Sequence, residues 1–233
     1  MINRDLLRIG LKAGGAPIMW ERTILDALHS IGELVPSGSR VLEIGYGDGL
    51  LTCYLCRELG WRITGLEVSR ASHRKAVNQA RECGLSECIE FQHCRPDETR
   101  KYHGQYDAVF IKTVLYSSSS VEEYMQWLDW ILTMLRPGGV LIDFETGRAN
   151  SLTQWYRVLR GRKYVDSCLY TSSIEKLYDD RFSIVYRRYY GGWSQFLSPI
   201  PWLYFIASRA EERMEERHAD NSFIVAIIAQ KSA

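Results

Sequence analysis

Glu43 sits in a short apolar run, Arg40 to Ile44, and is followed by three glycines at alternate positions, Gly45, Gly47 and Gly49, with Tyr46 between the first two. Backbone without Cβ atoms lets a ligand approach closely and takes up the positive φ of a tight turn. A helix beginning near Leu50 would aim its free amides and the positive end of its dipole at the same spot. Eighteen residues beyond Gly49, Glu67 follows a second apolar run, Trp61 to Leu66, where a carboxylate can accept both hydrogens of a ribose diol. These residue types suit the holding of a nucleoside-bearing ligand. They are not the dinucleotide fingerprint, because its sixth position is Leu50 here and Gly49 falls one place early.

Such residues act only if strands and helices bring them together. Ile18, Ile24, Leu25, Leu28, Ile31 and Leu34 have helical spacing, and Pro36-Ser37-Gly38 ends that helix. Strands are expected at 41–44, 61–66, 89–93, 106–111 and 140–144, with helices at 50–59, from a Ser69 cap to about Cys83, and at 121–135. Strand alternating with helix implies a doubly wound parallel sheet that binds ligands at the carboxyl ends of its strands. Two late strands, 182–190 and 223–230, complete an expected seven-stranded, mostly parallel sheet whose last strand is antiparallel. The chain then divides into an N-terminal helical segment (1–36), a ligand-binding core (37–146), a cap with the sixth strand (147–222) and the last strand (223–231), all within one domain.

Composition narrows the classes. The 29 basic and 28 acidic residues nearly cancel, which argues against general nucleic-acid binding. No apolar run reaches the roughly 20 residues of a membrane helix, and no signal peptide is read at the N-terminus, so a cytoplasmic location is expected. Cys53 and Cys56 form a Cys-x-x-Cys, but no second close pair follows at zinc-site spacing, and His93 and Cys94 point to opposite faces of a strand. No metal is expected, and the thiols read as small apolar residues.

In this order and spacing the residues resemble the Rossmann-like, class I S-adenosylmethionine-dependent methyltransferases. Glu43 to Gly49 resembles the family's acid-x-Gly-x-Gly-x-Gly loop, Gly65-Leu66-Glu67-Val68-Ser69 its second-strand acid, Tyr106-Asp107-Ala108-Val109 its fourth-strand motif, and Leu135 to Leu141 its turn into the fifth strand. The resemblance covers about residues 35 to 146 and implies S-adenosylmethionine as cofactor. It implies Gly45, Tyr46, Gly47 and Gly49 along the cofactor, Glu43 at its ammonium, Glu67 at its ribose, Val68 against its adenine, Asp97 at the adenine amine and Lys112 nearby. Asp97 comes two residues later than the family pattern has its acid.

Methyl transfer from a sulfonium is an in-line displacement, so the protein chiefly positions the nucleophile and excludes water. A base is needed only where the acceptor must lose a proton. Glu145, at the end of the fifth strand, is the expected base, and Tyr116, after the fourth, the expected orienting group. Half of the chain's 28 aromatic residues fall between 150 and 206, which favours a cap enclosing an apolar or flat acceptor. The acceptor is expected to be a small molecule, a glycan or a lipid-linked sugar. Pro201 to Ala207 competes as a peripheral membrane patch or a homodimer contact, and Arg157, Arg160, Arg162 and Lys163 as a phosphate or headgroup site. The alternatives are a catalytically silent cofactor-binding scaffold and, behind it, an NAD-dependent oxidoreductase.

Overall fold

The computed structural model describes residues 17–94, 103–147, 169–178, 181–191, 197, 200–212 and 222–232. Helix α1 (Pro17–Leu34) opens with a proline, whose missing N–H costs nothing in a first turn, and buries a stripe of Trp20, Ile24, Ala27 and Ile31. Then come β1 (Arg40–Ile44), α2 (Leu50–Leu59), β2 (Arg62–Glu67), α3 (Arg70–Glu82), β3 (Ile89–His93), β4 (Tyr106–Lys112), a 3-10 turn (Leu115–Ser117), α4 (Val121–Met134) and β5 (Leu135–Thr146). The chain continues with α5 (Thr171–Lys176), β6 (Phe182–Tyr190), α6 (Pro201–Glu212) and β7 (Ile224–Lys231). Ser69 caps α3 by accepting from the Ser72 amide at 3.3 Å, and Ser120 caps α4 by accepting from the Glu123 amide at 3.2 Å.

The seven strands form one sheet in the order β3-β2-β1-β4-β5-β7-β6. Strands β1 to β5 pair in parallel, and β7 runs antiparallel between β5 and β6, as the sequence implies. The expected fifth strand begins five residues early. Leu135 is already extended and pairs with Tyr106, because Pro137 disfavours helical backbone at Arg136 and so stops α4 at Met134.

Alternation along the strands divides the core between two faces. Val41, Phe110, Ile142, Phe144 and Ile228 pack under α1 and α2, while Leu42, Val109, Leu141 and Ile227 pack under α4 and α5. Both faces are covered, which is why the strands read as nearly continuous apolar runs. Ile44, Lys112 and Thr146, at the carboxyl ends of β1, β4 and β5, lie along one edge of the sheet. Pairing of Thr146 with Ile224 and of Ile224 with Tyr190 makes the β6–β7 connection, α6 included, leave and rejoin the sheet at that edge.

Candidate functional site

The turn from β1 into α2 is built by Gly45, Gly47 and Gly49, all at positive φ (74°, 59° and 78°). Two of them face protein: a Cβ on Gly45 would lie 2.8 Å from Val114 Cγ2, and one on Gly49 2.8 Å from Ala76 Cβ. Among the described residues nothing lies within 4 Å of a Cβ added at Gly47. Glu67 holds the turn from the end of β2, its carboxylate accepting the Gly47 amide at 3.0 Å and the Ser69 amide at 2.9 Å. Each oxygen keeps a lone pair for a further donor. Val68, next along, is 62 % exposed.

Tyr46 turns its ring the other way. It is buried over Gly65 and against Phe91, with its hydroxyl 2.7 Å from His73 Nδ1 and donating to the Gln92 carbonyl at 3.2 Å. Burial, and then the Glu67 carboxylate, push its phenol well above the usual range. Tyr46 therefore meets a ligand on the turn through its backbone and braces the turn with its side chain.

Glu43 lies under the turn between Gly65 of β2 and Phe110 of β4, almost wholly buried. Burial pushes its carboxyl up to about 7 against the opposing pulls of the Thr52 hydroxyl and Lys112, and its Oε2 has no hydrogen-bond partner among the described residues. Lys112 extends from the end of β4 on the same face of the sheet, its Nζ 4.5 Å from the centre of the Trp20 ring of α1. Desolvation lowers its pKa, and the carboxylates of Glu145, Glu43 and Asp48 act in the opposite direction. Among the described residues no carboxylate pairs with Lys112 within 4 Å, so a buried cation and a buried acid share one region without a direct bond.

The segment after β4 is held from β5. The Glu145 carboxylate is fully buried and accepts three successive amides, from Val114 at 2.6 Å, Leu115 at 2.7 Å and Tyr116 at 3.1 Å. Burial still pushes this carboxyl up to about 7. Glu145 was expected as a base; with its oxygens taken by backbone amides and no solvent exposure, it is placed to position the loop instead. Thr113, the residue just before, sits at φ 53°, a strained conformation for a β-branched side chain. Through Val114 the same loop presses on Gly45. Two residues back on β5, Asp143 accepts from the Tyr124 hydroxyl at 3.2 Å and from the Tyr178 hydroxyl, inside the core. Burial and the neighbouring Glu145 push its carboxyl well above the usual range.

The structure thus gathers Glu43, Gly45, Gly47, Gly49, Glu67, Val68 and Lys112 around one turn, with the Tyr116 loop beside it at the carboxyl edge. Asp97, the basic cluster 157–163, and Trp155, Tyr156, Tyr164, Trp193 and Phe196 lie outside the described residues. Of the other late aromatics, Tyr178, Tyr189, Tyr190 and Tyr204 are core residues, while Trp202 and Phe205 are exposed on α6. Trp20 escaped the sequence reading. Its only signal was membership of the α1 apolar stripe, which does not reveal the contact with Lys112.

A seven-stranded sheet in the order β3-β2-β1-β4-β5-β7-β6 with β7 antiparallel, a glycine turn after β1 and an acid ending β2 match the Rossmann-like fold of S-adenosylmethionine-dependent methyltransferases. A family model described as a methyltransferase domain matches residues 19–181, and the chain belongs to that family. It is 28% identical over 137 residues to ribosomal RNA small subunit methyltransferase G of Thermobifida fusca, covering 58% of this chain and 53% of that protein. It is also 28% identical over 129 residues to a ubiquinone biosynthesis O-methyltransferase of Erwinia tasmaniensis, covering 55% of this chain and 50% of that one. The chain thus spans about half the length of these curated relatives. Among solved structures, geranyl diphosphate C-methyltransferase from Streptomyces coelicolor, in complex with Mg2+, geranyl diphosphate and S-adenosyl-L-homocysteine, superposes with a TM-score of 0.61 at 12% identity, covering 92% of this chain and 84% of that one. The [4+2]-cyclase SpnF superposes with a TM-score of 0.61 at 20% identity over the same shares. These likenesses show the fold. Among the described residues no helix is long and apolar enough to cross a membrane.

Proposed function

We propose that this chain is an S-adenosylmethionine-dependent methyltransferase of a small molecule, a glycan or a lipid-linked acceptor. The observation that carries the reading is the space over Gly47, where an added Cβ meets no described residue, at a turn whose Gly47 amide is bonded to the Glu67 carboxylate and beneath which a buried Glu43 oxygen has no partner among the described residues. Backbone bare of side chain there, with two acids at the same turn, fits a ligand that carries both an ammonium and a ribose diol.

In this reading Glu67 accepts the ribose hydroxyls while keeping its two amide bonds, and Val68 flanks the adenine, with Asp97 at its amine. Glu43 takes the ammonium of the cofactor and Lys112 its carboxylate, each charge gaining a partner it lacks among the described residues. When bound, S-adenosylmethionine supplies an electrophilic methyl on a sulfonium. The protein holds the acceptor in line and keeps water out. Tyr116 orients the acceptor, with its amide fixed by Glu145. Support for an acceptor with an apolar part comes from α6 in the connection at the carboxyl edge, where Trp202 (63 % exposed), Phe205 and Ile206 face outward.

Calorimetric titration with S-adenosylmethionine, S-adenosylhomocysteine and NAD tests the cofactor, and methyl release onto candidate acceptors tests transfer. The two sulfur nucleotides are expected to bind and NAD not to. Glu67→Ala should weaken binding by about 1 to 3 kcal/mol, the range for a lost hydrogen bond to a charged group. Binding of NAD alone would overturn the reading. Cofactor binding without transfer to any acceptor would favour a silent scaffold.

A further inference from the structure

Trp20 differs from the rest of the α1 stripe in what its ring touches. It is 1 % exposed and belongs to the core under α1 and α2, yet one of its neighbours is a cation, with Lys112 Nζ 4.5 Å from the ring centre. Lys112 lies on the same face of the sheet as Phe110, two residues back on β4, and Phe110 pairs with Glu43 of β1. The carboxylates of Glu145, Glu43 and Asp48 favour the charged form of Lys112 from a distance. Among the described residues none of them forms an ion pair with it.

A buried ammonium is costly unless something favours its charge. An acid at bonding distance would do so, but it would also neutralise the cation and occupy its donors. The negative face of an indole favours the charge from one side and leaves N–H donors for a ligand. Glu43 stays open in the same arrangement, its Oε2 without a partner among the described residues. Lysine has a flexible four-carbon stem, so without the ring a direct pair between Lys112 and Glu43 would relieve both buried groups. We propose that Trp20 is a positioning residue for the amino-acid end of the cofactor: its ring holds the Lys112 ammonium apart from Glu43, so that cation and acid meet the ligand's carboxylate and ammonium rather than each other. This role rests on the reading of Glu43 and Lys112 under Proposed function, and it makes α1 part of the cofactor site although Trp20 acts only through Lys112.

The effect of the ring is confined to ligands that carry the amino-acid part. S-adenosylhomocysteine carries it, and 5′-methylthioadenosine is the same nucleoside thioether without it. Calorimetric titration of the whole protein with both, in a double-mutant cycle of Trp20 and Lys112, separates positioning from packing. Lys112→Met should weaken S-adenosylhomocysteine binding about tenfold or more, the scale of one hydrogen bond to a charged group. Trp20→Leu should weaken it about tenfold, the scale of a desolvated contact between a cation and an indole, and Trp20→Phe about threefold, since a smaller ring keeps part of that attraction. Each single variant should bind 5′-methylthioadenosine within about twofold of the wild type, and in the Lys112→Met background neither change at Trp20 should weaken S-adenosylhomocysteine further. Trp20→Phe disturbs the core less and carries the cycle alone if Trp20→Leu does not fold.

Equal losses for the two nucleosides would mean that Trp20 only packs the core. That result, a loss that persists in the Lys112→Met background, or wild-type affinity for S-adenosylhomocysteine in both Trp20 variants would each overturn the role of Trp20 while leaving Lys112 in the site. Unchanged S-adenosylhomocysteine affinity in Lys112→Met would instead remove Lys112 from the site, and Trp20 with it.

Discussion

Replacing Glu43 by glutamine isolates one buried charge and gives the glycine turn a thermodynamic signature. The carboxyl is held near 7 in the folded protein against 4.5 ordinarily, chiefly by burial. A folded state with the higher pKa binds more protons than the unfolded chain between those values, so stability falls as pH rises through that window. At about 1.4 kcal/mol per decade, the loss is about 3 kcal/mol in full, and roughly 2 to 3 kcal/mol of it falls between about pH 5 and pH 8. Glutamine keeps the shape and removes the titration. Asp143 and Glu145, also raised by burial, slope the same way but are present in both proteins and cancel in the difference. Urea unfolding of the cofactor-free protein and of Glu43→Gln across that range should therefore diverge, the wild type losing the extra stability as pH rises. Saturating S-adenosylmethionine should flatten the wild-type slope, because an ammonium beside Glu43 favours its ionised form. The substitution should weaken that binding roughly tenfold to a hundredfold, the scale of one hydrogen bond to a charged group. Equal pH-dependence of the two cofactor-free proteins would refute the assignment of a buried, unpartnered carboxyl.

Gly49→Ala places a Cβ 2.8 Å from Ala76 Cβ and 2.9 Å from Phe91 Cζ at positive φ, and should cost about 2 to 4 kcal/mol in urea unfolding; wild-type stability would show that α2 and α3 are not packed at this glycine. Glu145→Ala strands three amides of the segment after β4 and should cost roughly 3 to 5 kcal/mol, while Glu145→Gln should cost less. The glutamine variant should also lower the turnover of methyl transfer while leaving cofactor affinity within about twofold, since the loop rather than the turn is disturbed; a loss of turnover confined to pH above about 7, where the wild-type carboxyl is ionised, would return Glu145 to the role of a base.

The sheet and its ligand edge were legible because the signals were local: apolar runs, helix caps at Ser69 and Ser120, and glycines at fixed offsets. The positions of Glu43 and Glu67 were legible for the same reason, one within a short apolar run and the other at the end of one. The direction of a side chain was not. Tyr46 sits among glycines that face a ligand, yet Gly65 leaves room for its ring on the opposite side. Glu145 stands where a base could stand, but it shares a face with Leu141 and Asp143 that α4 and α5 cover. Two acids at alternate positions in an apolar strand were the available sign that both carboxylates are buried and hydrogen-bonded. The contact between Trp20 and Lys112 joins the N-terminal helical segment to the end of β4, far apart in sequence, and no local pattern encodes it.

The place of β7 has a consequence for how the chain assembles. It leaves the ribosome after both β5 and β6, yet it lies between them in the sheet. Among the described residues β6 pairs with no other strand. A nascent chain that stops short of residue 222 therefore holds β6 with nothing to dock on, while β5 presents an open edge to any passing strand. Strand β7 closes both seams at once, so this part of the sheet is completed in one long-range event rather than strand by strand, and until then that edge is an invitation to mispairing.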